Sequence, residues 1–186
     1  MILAFHKPFG VLSRFTADVG ACRTLAEFAF PESVYPIGRL DADSEGFLLL
    51  SDEAKWNQLL LSPRHHVCKT YHVLVERVPS VEALADLSKG VLLDGRKTLP
   101  AQAKILEPQP EVPPRDPPVR VRKTVKDIWI ELQIHEGKNR QVRRMTAAVG
   151  HPTLRLIRVA IGGLGIGGLA PGEWRVLEPA ELRLLR

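Results

Sequence analysis

Between Gly38 and Glu53 the sequence reads GRLDADSEGFLLLSDE, which gathers Asp41, Asp43 and Glu45 directly ahead of an apolar run. Charges packed before a buried strand suggest a site. Carboxylates so placed can attack an electrophilic carbon, take a proton, or ligate a hard cation. Asp41, Asp43, Glu45 and Gly46, with Asp52 at the twelfth position, approximate the ligand spacing of an EF-hand calcium loop. Context argues against calcium. Pro36 and Gly38 make Tyr35 to Leu40 a poor entering helix, and the twelfth ligand is ordinarily a bidentate glutamate.

A second stretch, HEGKNRQVRRMTAAVGHPTLRLIR from His135 to Arg158, carries a different chemistry. It reads as a strand end, a turn at Gly137, a helix and a further strand. Val142, Met145 and Val149 follow a helical period and face inward. Arg140, Arg143 and Arg144 then share the other side, a basic face suited to phosphates or simply a solvated helix surface. Arg155 and Arg158 on the next segment favour the phosphate reading. Lys69-Thr70-Tyr71 opens a strand whose tyrosine is either a stacking platform for an unpaired base or a half-buried strand aromatic.

Other patterns carry less. Gly163, Gly165 and Gly168 spell GxGxxG, but they run into Leu169-Ala170-Pro171-Gly172 and not into a long helix. They read as a turn that brings backbone close to something bulky. The histidines form no metal set, since His65 and His66 are adjacent and the others scattered. Neither a Walker-type phosphate loop nor a nucleophile-elbow serine is present in the sequence.

The elements that must position these residues are legible in outline. Strand-like runs span Ile2 to Phe5, Phe47 to Leu50, Tyr71 to Val75 and Ile128 to Ile134. In the last, Ile128, Ile130, Leu132 and Ile134 share one face and Trp129, Glu131, Gln133 and His135 the other, as in a half-buried antiparallel strand. Helices are expected over Glu53 to Leu61, Ser80 to Ser88 with Ser80 as N-cap, and Asn139 to Val149. Gly90 and Gly150 sit where helices end. Six prolines between Pro108 and Pro118 exclude helix and central strand there and mark an extended loop. Strands and helices recur on both sides without a regular βαβ rhythm, so an α+β fold with a mainly antiparallel mixed sheet is expected.

The bulk composition agrees with a polyanionic partner. The 186 residues carry a formal charge of +5 and a pI near 9.5. From Arg115 to Arg158 eleven Lys and Arg face four Asp and Glu, or +7, which leaves −2 for the remainder. Cys22 and Cys68 form no CxxC pair, so reduced thiols in a cytoplasmic protein are expected and a disulfide framework is not. His6, Lys7 and Pro8 interrupt the first apolar run before it reaches signal-peptide length, and no apolar stretch is long enough to span a membrane.

Six segments in this order resemble a known family: HKPFGVL, GRLDADSEGFLLLSD, KTYHVLVE, DPPVRVRK, EGKNRQVRRMTAAVGHPTLRLIRVAIG and LAPGEWRVL. Together they cover nearly the whole chain. The sequence is similar to the bacterial ribosomal pseudouridine synthases of the RsuA type. That resemblance implies a single pseudouridine synthase catalytic domain over residues 1 to 186, with the Pro-rich loop at about 107–118 inside it and two subdomains as an option. It further implies isomerisation of a uridine in ribosomal RNA, the large ribosomal subunit's 23S RNA in particular, by a monomer without metal or organic cofactor. Asp41 is then the nucleophile, Tyr71 lines the uracil pocket, and Arg143 pairs with the aspartate. Leu156 is the residue expected to pack against the target base, and Arg39, Lys69 and Asn139 join it in substrate binding. Arg140, Arg144, Arg155 and Arg158 are expected to hold the RNA backbone. Lys138 and Phe47 stand where the family usually has arginine and leucine, and both keep the character of the position. Many relatives begin with an S4 RNA-binding domain, and none is expected here because Met1 falls just before the first catalytic motif. The competing class is a catalytically silent RNA-binding protein that keeps the fold and the basic face.

Overall fold

The computed structural model describes residues 1–16, 23–119 and 124–185, so Cys22 lies outside the described residues. In chain order the strands are β1 (Ile2–Lys7), β2 (Val11–Leu12), β3 (Arg23–Thr24), β4 (Tyr35–Pro36), β5 (Glu45–Ser51), β6 (Lys69–Val75) and β7 (Leu92–Leu93). They continue with β8 (Arg96–Lys97), β9 (Gln102–Ile105), β10 (Ile128–Ile134), β11 (Thr153–Ile161), β12 (Leu164–Gly165) and β13 (Trp174–Val176). The α-helices are α1 (Lys55–Leu61), α2 (Val81–Lys89) and α3 (Gln141–Ala148). Residues Met1–Val67 with Ile157–Arg186 form one compact unit and Cys68–Leu156 a second. The Pro-rich segment lies inside the second unit and does not divide the two.

In the first unit, β1 and β5 are buried along their entire lengths. A strand covered on both faces reads as a continuous apolar run and loses its alternation, as ILAF and FLLL do. On one face Ile2, Ala4, Phe47 and Leu49 meet Leu60 of α1 together with Ile161, Leu164 and Leu185. On the other, Phe5 packs against Phe28 and Phe30 with ring centroids 4.9 and 5.0 Å apart. β1 pairs antiparallel with β5 and β13, β4 adds to β5, and β12 adds to β11. The C-terminal part of β11 runs parallel to β5, with Ile157 opposite Glu45 and Arg158 opposite Gly46. Gly46 has φ +102°, and a Cβ there would lie 2.3 Å from the Arg158 carbonyl oxygen, so only glycine closes this pairing.

The C-terminal glycines form a turn, not a nucleotide fold. Gly163 N donates to Leu184 O at 2.6 Å, and Gly162, at φ +58°, leaves no room for a Cβ beside the same carbonyl. The bulky neighbour expected from the sequence is thus the backbone of the closing 3-10 turn, Glu181–Leu185.

In the second unit β10 pairs antiparallel with β6, from Ile128 opposite Val75 to Ile134 opposite Lys69, and its other edge pairs with β9. The expected alternation holds for Ile130, Leu132 and Ile134, which are buried. Trp129, on the opposite face, is also buried at 8% exposure. The Gln109 side chain explains part of that cover: its amide nitrogen donates to Trp129 O at 3.2 Å and its oxygen accepts from Trp129 N at 2.7 Å. Trp129 O also accepts from Leu106 N at 3.0 Å, so what the side-chain amide of the Pro-rich loop adds is an acceptor for Trp129 N. α2 begins as expected, with Ser80 Oγ accepting from Ala83 N at 3.2 Å, and Gly90 closes it with an N–H to Leu87 O. Antiparallel pairing dominates both units, with β5–β11 and β2–β3 the parallel exceptions among the described strands.

Candidate active site

Asp41 sits in a turn between β4 and β5, and its position follows from contacts on either side of it. Ile37 N donates to Leu49 O at 2.8 Å, which keeps the chain beside β5 as it approaches the turn. Leu40 is buried, and both its backbone polar groups are taken by one side chain. Leu40 N donates to Ser13 Oγ at 3.0 Å while Ser13 Oγ donates to Leu40 O at 2.7 Å. Beyond Asp41, Gly10 N donates to Ala42 O at 2.7 Å and Ser44 N returns to Asp41 O at 3.0 Å. Asp41 is half-buried, Arg39 exposed, and Glu45 buried at 3% exposure.

The twelve-residue stretch from Asp41 to Asp52 is not a calcium loop in shape. It becomes extended strand from Glu45 to Ser51, so it does not wrap around an ion, and Asp52 lies beyond the far end of β5 from Asp41 and Asp43.

Lys7, at the end of β1, is fully buried, and its ammonium donates to Val11 O at 2.6 Å and to Pro8 O at 2.9 Å. Burial pulls its pKa down to about 7, against the opposing influence of Glu45, Asp43 and Asp41 and with help from Arg158. In the sequence Lys7 is no more than an interruption of an apolar run. The signal that would reveal it is a lysine closing a strand whose every other residue is buried. Ser13 is equally inconspicuous, because a serine after a strand is ordinary.

Arg158 lies deeper than its place in an arginine-rich stretch suggests. It is 5% exposed, its Nε donates to Phe47 O at 2.7 Å, and its Nη2 is buried without a hydrogen-bond partner among the described residues. A guanidinium so enclosed braces β11 against β5. Arg155 has the same exposure, and its Nη2 donates to Pro113 O at 2.9 Å, which ties β11 to the Pro-rich loop. Both arginines are buried, whereas the RNA-backbone role expected of them needs a side chain that RNA can reach.

The second unit holds the remaining candidates. Tyr71 stands opposite Leu132 on β6 and is buried at 7% exposure on the face it shares with Val73 and Val75. Leu156 is 5% exposed, and Lys69 is half-buried at the head of β6. The helix expected from Asn139 starts at Gln141. Arg140 has φ +48°, so Asn139 and Arg140 are exposed in the preceding turn, and Arg140 lies off the helical face shared by Arg143 and Arg144. Gln141 fixes that turn, accepting from Lys138 N at 3.0 Å and donating to Glu136 at 2.7 Å. Burial acts to raise the Glu136 pKa, but the Leu99 N–H, Gln141 and Lys138 outweigh it and hold the carboxyl below its usual range. Val142 and Met145 are buried as expected, and Thr146, fully buried, joins Thr153 through a 2.7 Å hydroxyl contact. This contact docks α3 on β11. Arg143 is half-buried, its Nη1 3.5 Å from Thr153 O, and Arg144 Nη2 lies 2.5 Å from Asp94 Oδ2.

Asp41, Arg39 and Arg158 thus belong to the first unit, and Lys69, Tyr71, Asn139, Arg140, Arg143, Arg144, Arg155 and Leu156 to the second. Among the described residues no helix is long and apolar enough to cross a membrane.

Comparison with known proteins gives this arrangement a family. Residues 1–148 match the model for RNA pseudouridylate synthase. The chain is 54% identical to the ribosomal large subunit pseudouridine synthase E of Xanthomonas campestris pv. campestris over the whole length of both. It is 45% identical to the protein of the same description from Vibrio vulnificus, covering 95% of this chain and 75% of the relative. A crystal structure of a pseudouridylate synthase superposes with a TM-score of 0.81 at 30% identity, covering all of this chain and 73% of the other. With the α+β architecture and the GRLD turn in place, the chain belongs to the RNA pseudouridylate synthase family and is an isomerase of that kind.

Proposed function

We propose that this protein converts one uridine of large-subunit (23S) ribosomal RNA to pseudouridine, with Asp41 as the reacting carboxylate and Tyr71 and Arg143 as its catalytic partners. The observation that carries the substrate assignment is the 54% identity, end to end, with a protein described as acting on the large subunit. The rigidly held turn around Asp41 supports the residue assignment.

The reaction is an isomerisation, so every atom of the uracil is retained apart from proton exchange. The C1′–N1 bond breaks, the base rotates, a C1′–C5 bond forms, and the C5 proton is lost while N1 gains one. Asp41 serves either by attacking C1′ or by taking a sugar proton, and both routes use the ionised carboxylate. Arg143 is the opposite charge assigned to pair with that carboxylate. Tyr71 stacks on the base, which offsets part of the few kcal/mol needed to unstack it. Leu156 packs on the same base. Arg39, Lys69, Asn139, Arg140 and Arg144 contact the RNA around it, chiefly through the backbone. The protein acts as a monomer in the cytoplasm and needs no cofactor.

The test is pseudouridine mapping in ribosomal RNA from a strain lacking this chain, complemented by wild type and by Asp41→Asn. One large-subunit pseudouridine should disappear, return with wild type, and stay absent with Asp41→Asn. Return of the modification with Asp41→Asn removes the aspartate from the mechanism. A lost site in the small subunit removes the substrate assignment.

A further inference from the structure

We infer that Ser13 is a positioning residue for catalysis, holding Asp41 through the peptide groups of Leu40; this rests on the reading of Asp41 as the reacting carboxylate. Ser13 is 6% exposed and lies 27 positions from Leu40 in sequence, yet its hydroxyl engages both Leu40 N and Leu40 O, at 3.0 and 2.7 Å. One hydroxyl can donate once and accept, and here it spends both functions on a single residue. It therefore does for Leu40 what a neighbouring strand would do, fixing the orientation of the peptide that delivers Asp41. Gly10 N does the same for the far side of the turn through Ala42 O, at 2.7 Å. Both clamps come from one segment, residues 10–13, which Lys7 ties down in turn through Pro8 O and Val11 O. The carboxylate is thus suspended between two anchored peptides, and only the Ser13 anchor is a side chain that substitution can remove.

The unit contains its own control. Ser51 is 5% exposed and bridges two backbone groups in the same manner, donating to Met1 O at 2.7 Å and accepting from Glu53 N at 3.0 Å. It belongs to the same unit and has the same kind of hydrogen bonds, but those bonds bracket no part of the Leu40–Ala42 turn. Removing either hydroxyl strands buried backbone groups, so both alanine variants should melt at a lower temperature. Only the loss of Ser13 should slow the chemistry, because an error of about 1 Å at a reacting group can cost on the order of 100-fold.

Single-turnover pseudouridine formation with enzyme in excess over the RNA substrate tests this, beside RNA dissociation constants and thermal melting for Ser13→Ala, Ser13→Cys and Ser51→Ala. Ser13→Ala should lose about 10- to 100-fold in rate with RNA affinity within about twofold of wild type. Ser13→Cys fills the space but hydrogen-bonds weakly, and it should be similarly slow. Ser51→Ala should keep the wild-type rate. A Ser13→Cys rate at wild-type level, or a Ser51→Ala loss equal to that of Ser13→Ala, overturns the inference. Should Ser13→Ala not fold, Ser13→Cys against Ser51→Ala decides alone. Asp41→Asn in the same assay separates the two readings: if it is inactive while both Ser13 variants are fast, Asp41 stands and the clamp falls.

Discussion

Arg144 on α3 and Asp94 at the β7–β8 turn form an ion pair, Nη2 to Oδ2, at 2.5 Å. Asp94 is 82% exposed in its side chain and adopts φ +48°, an uncommon backbone for a residue other than glycine. An ion pair this open contributes about 0 to 1 kcal/mol to stability. Its consequence is occupancy: the guanidinium proposed to meet an RNA phosphate is held by a protein carboxylate in the free structure. Asp94→Asn should therefore tighten RNA binding and steepen its salt dependence, and Arg144→Ala should weaken binding and flatten that dependence by about one counterion. Dissociation constants measured across a salt series read both. Parallel, unchanged slopes for the two variants would take Arg144 out of the RNA contact.

A Cβ at Gly46 meets backbone, not a flexible side-chain end: Arg158 O at 2.3 Å and Arg158 N at 2.9 Å. The parallel pairing of β5 with β11 cannot give way there without losing its register. Gly46→Ala should cost about 3 kcal/mol or more, a large share of a typical domain's stability, and show as aggregation or a sharply lowered melting temperature. Gly95→Ala is the comparison. Its φ is +74° but no atom lies within 4 Å of the added carbon, so it should cost only about 1 kcal/mol. Equal melting temperatures for the two variants would contradict the packing argument.

Arg155 shows why charge in a sequence is an uncertain guide to function. An arginine spaced near other arginines reads as part of a phosphate grip, yet this one is buried and donates to Pro113 O at 2.9 Å. Arg155→Ala should destabilise the protein by about 1 to 3 kcal/mol, by emptying the space of a buried side chain and loosening the Pro-rich loop. The slope of RNA affinity against salt should not change. A flattened slope in a variant that still melts near the wild-type temperature would place Arg155 in the RNA-contacting set.

What the sequence reveals depends on whether one physical signal dominates a segment. β10 is legible from Ile128 to Ile134 because alternation alone decides it. β5 is legible only in its apolar middle, since Glu45, Gly46 and Ser51 at its ends are buried for reasons of pairing and hydrogen bonding that no periodicity encodes. α3 starts two residues later than its periodicity suggests because Arg140, a good helix former, sits in a left-handed turn that Gln141 closes by reaching back to Lys138 N and Glu136. The Asp41 turn is conspicuous by its charges, but the groups that hold it, Ser13 and Gly10, are remote in sequence and chemically plain. Lys7 is the extreme case. A lysine is almost never fully buried unless something retains it, and the one local sign is that this one closes an apolar run.

The retained ammonium makes a pH prediction whose sign can be fixed. Burial lowers the Lys7 pKa to about 7 in the folded protein, whereas an unfolded lysine keeps its ordinary value of 10.5. Between those values the unfolded chain binds the extra proton, so folding stability contributed by this group rises with pH. Below about pH 7 both states are charged, and the cost of burying the ammonium is carried in full. Lys7→Met removes the titration along with the hydrogen bonds to Pro8 O and Val11 O. The stability of wild type relative to Lys7→Met should therefore increase by about 2 kcal/mol between pH 7 and pH 9, each unit of pH being worth at most about 1.4 kcal/mol. Urea unfolding of both proteins at the two pH values gives this difference, in which the other titrating groups cancel. A difference that stays flat as pH rises would mean the ammonium keeps an ordinary pKa inside the fold and that its two carbonyl partners and the acidic cluster together offset its burial.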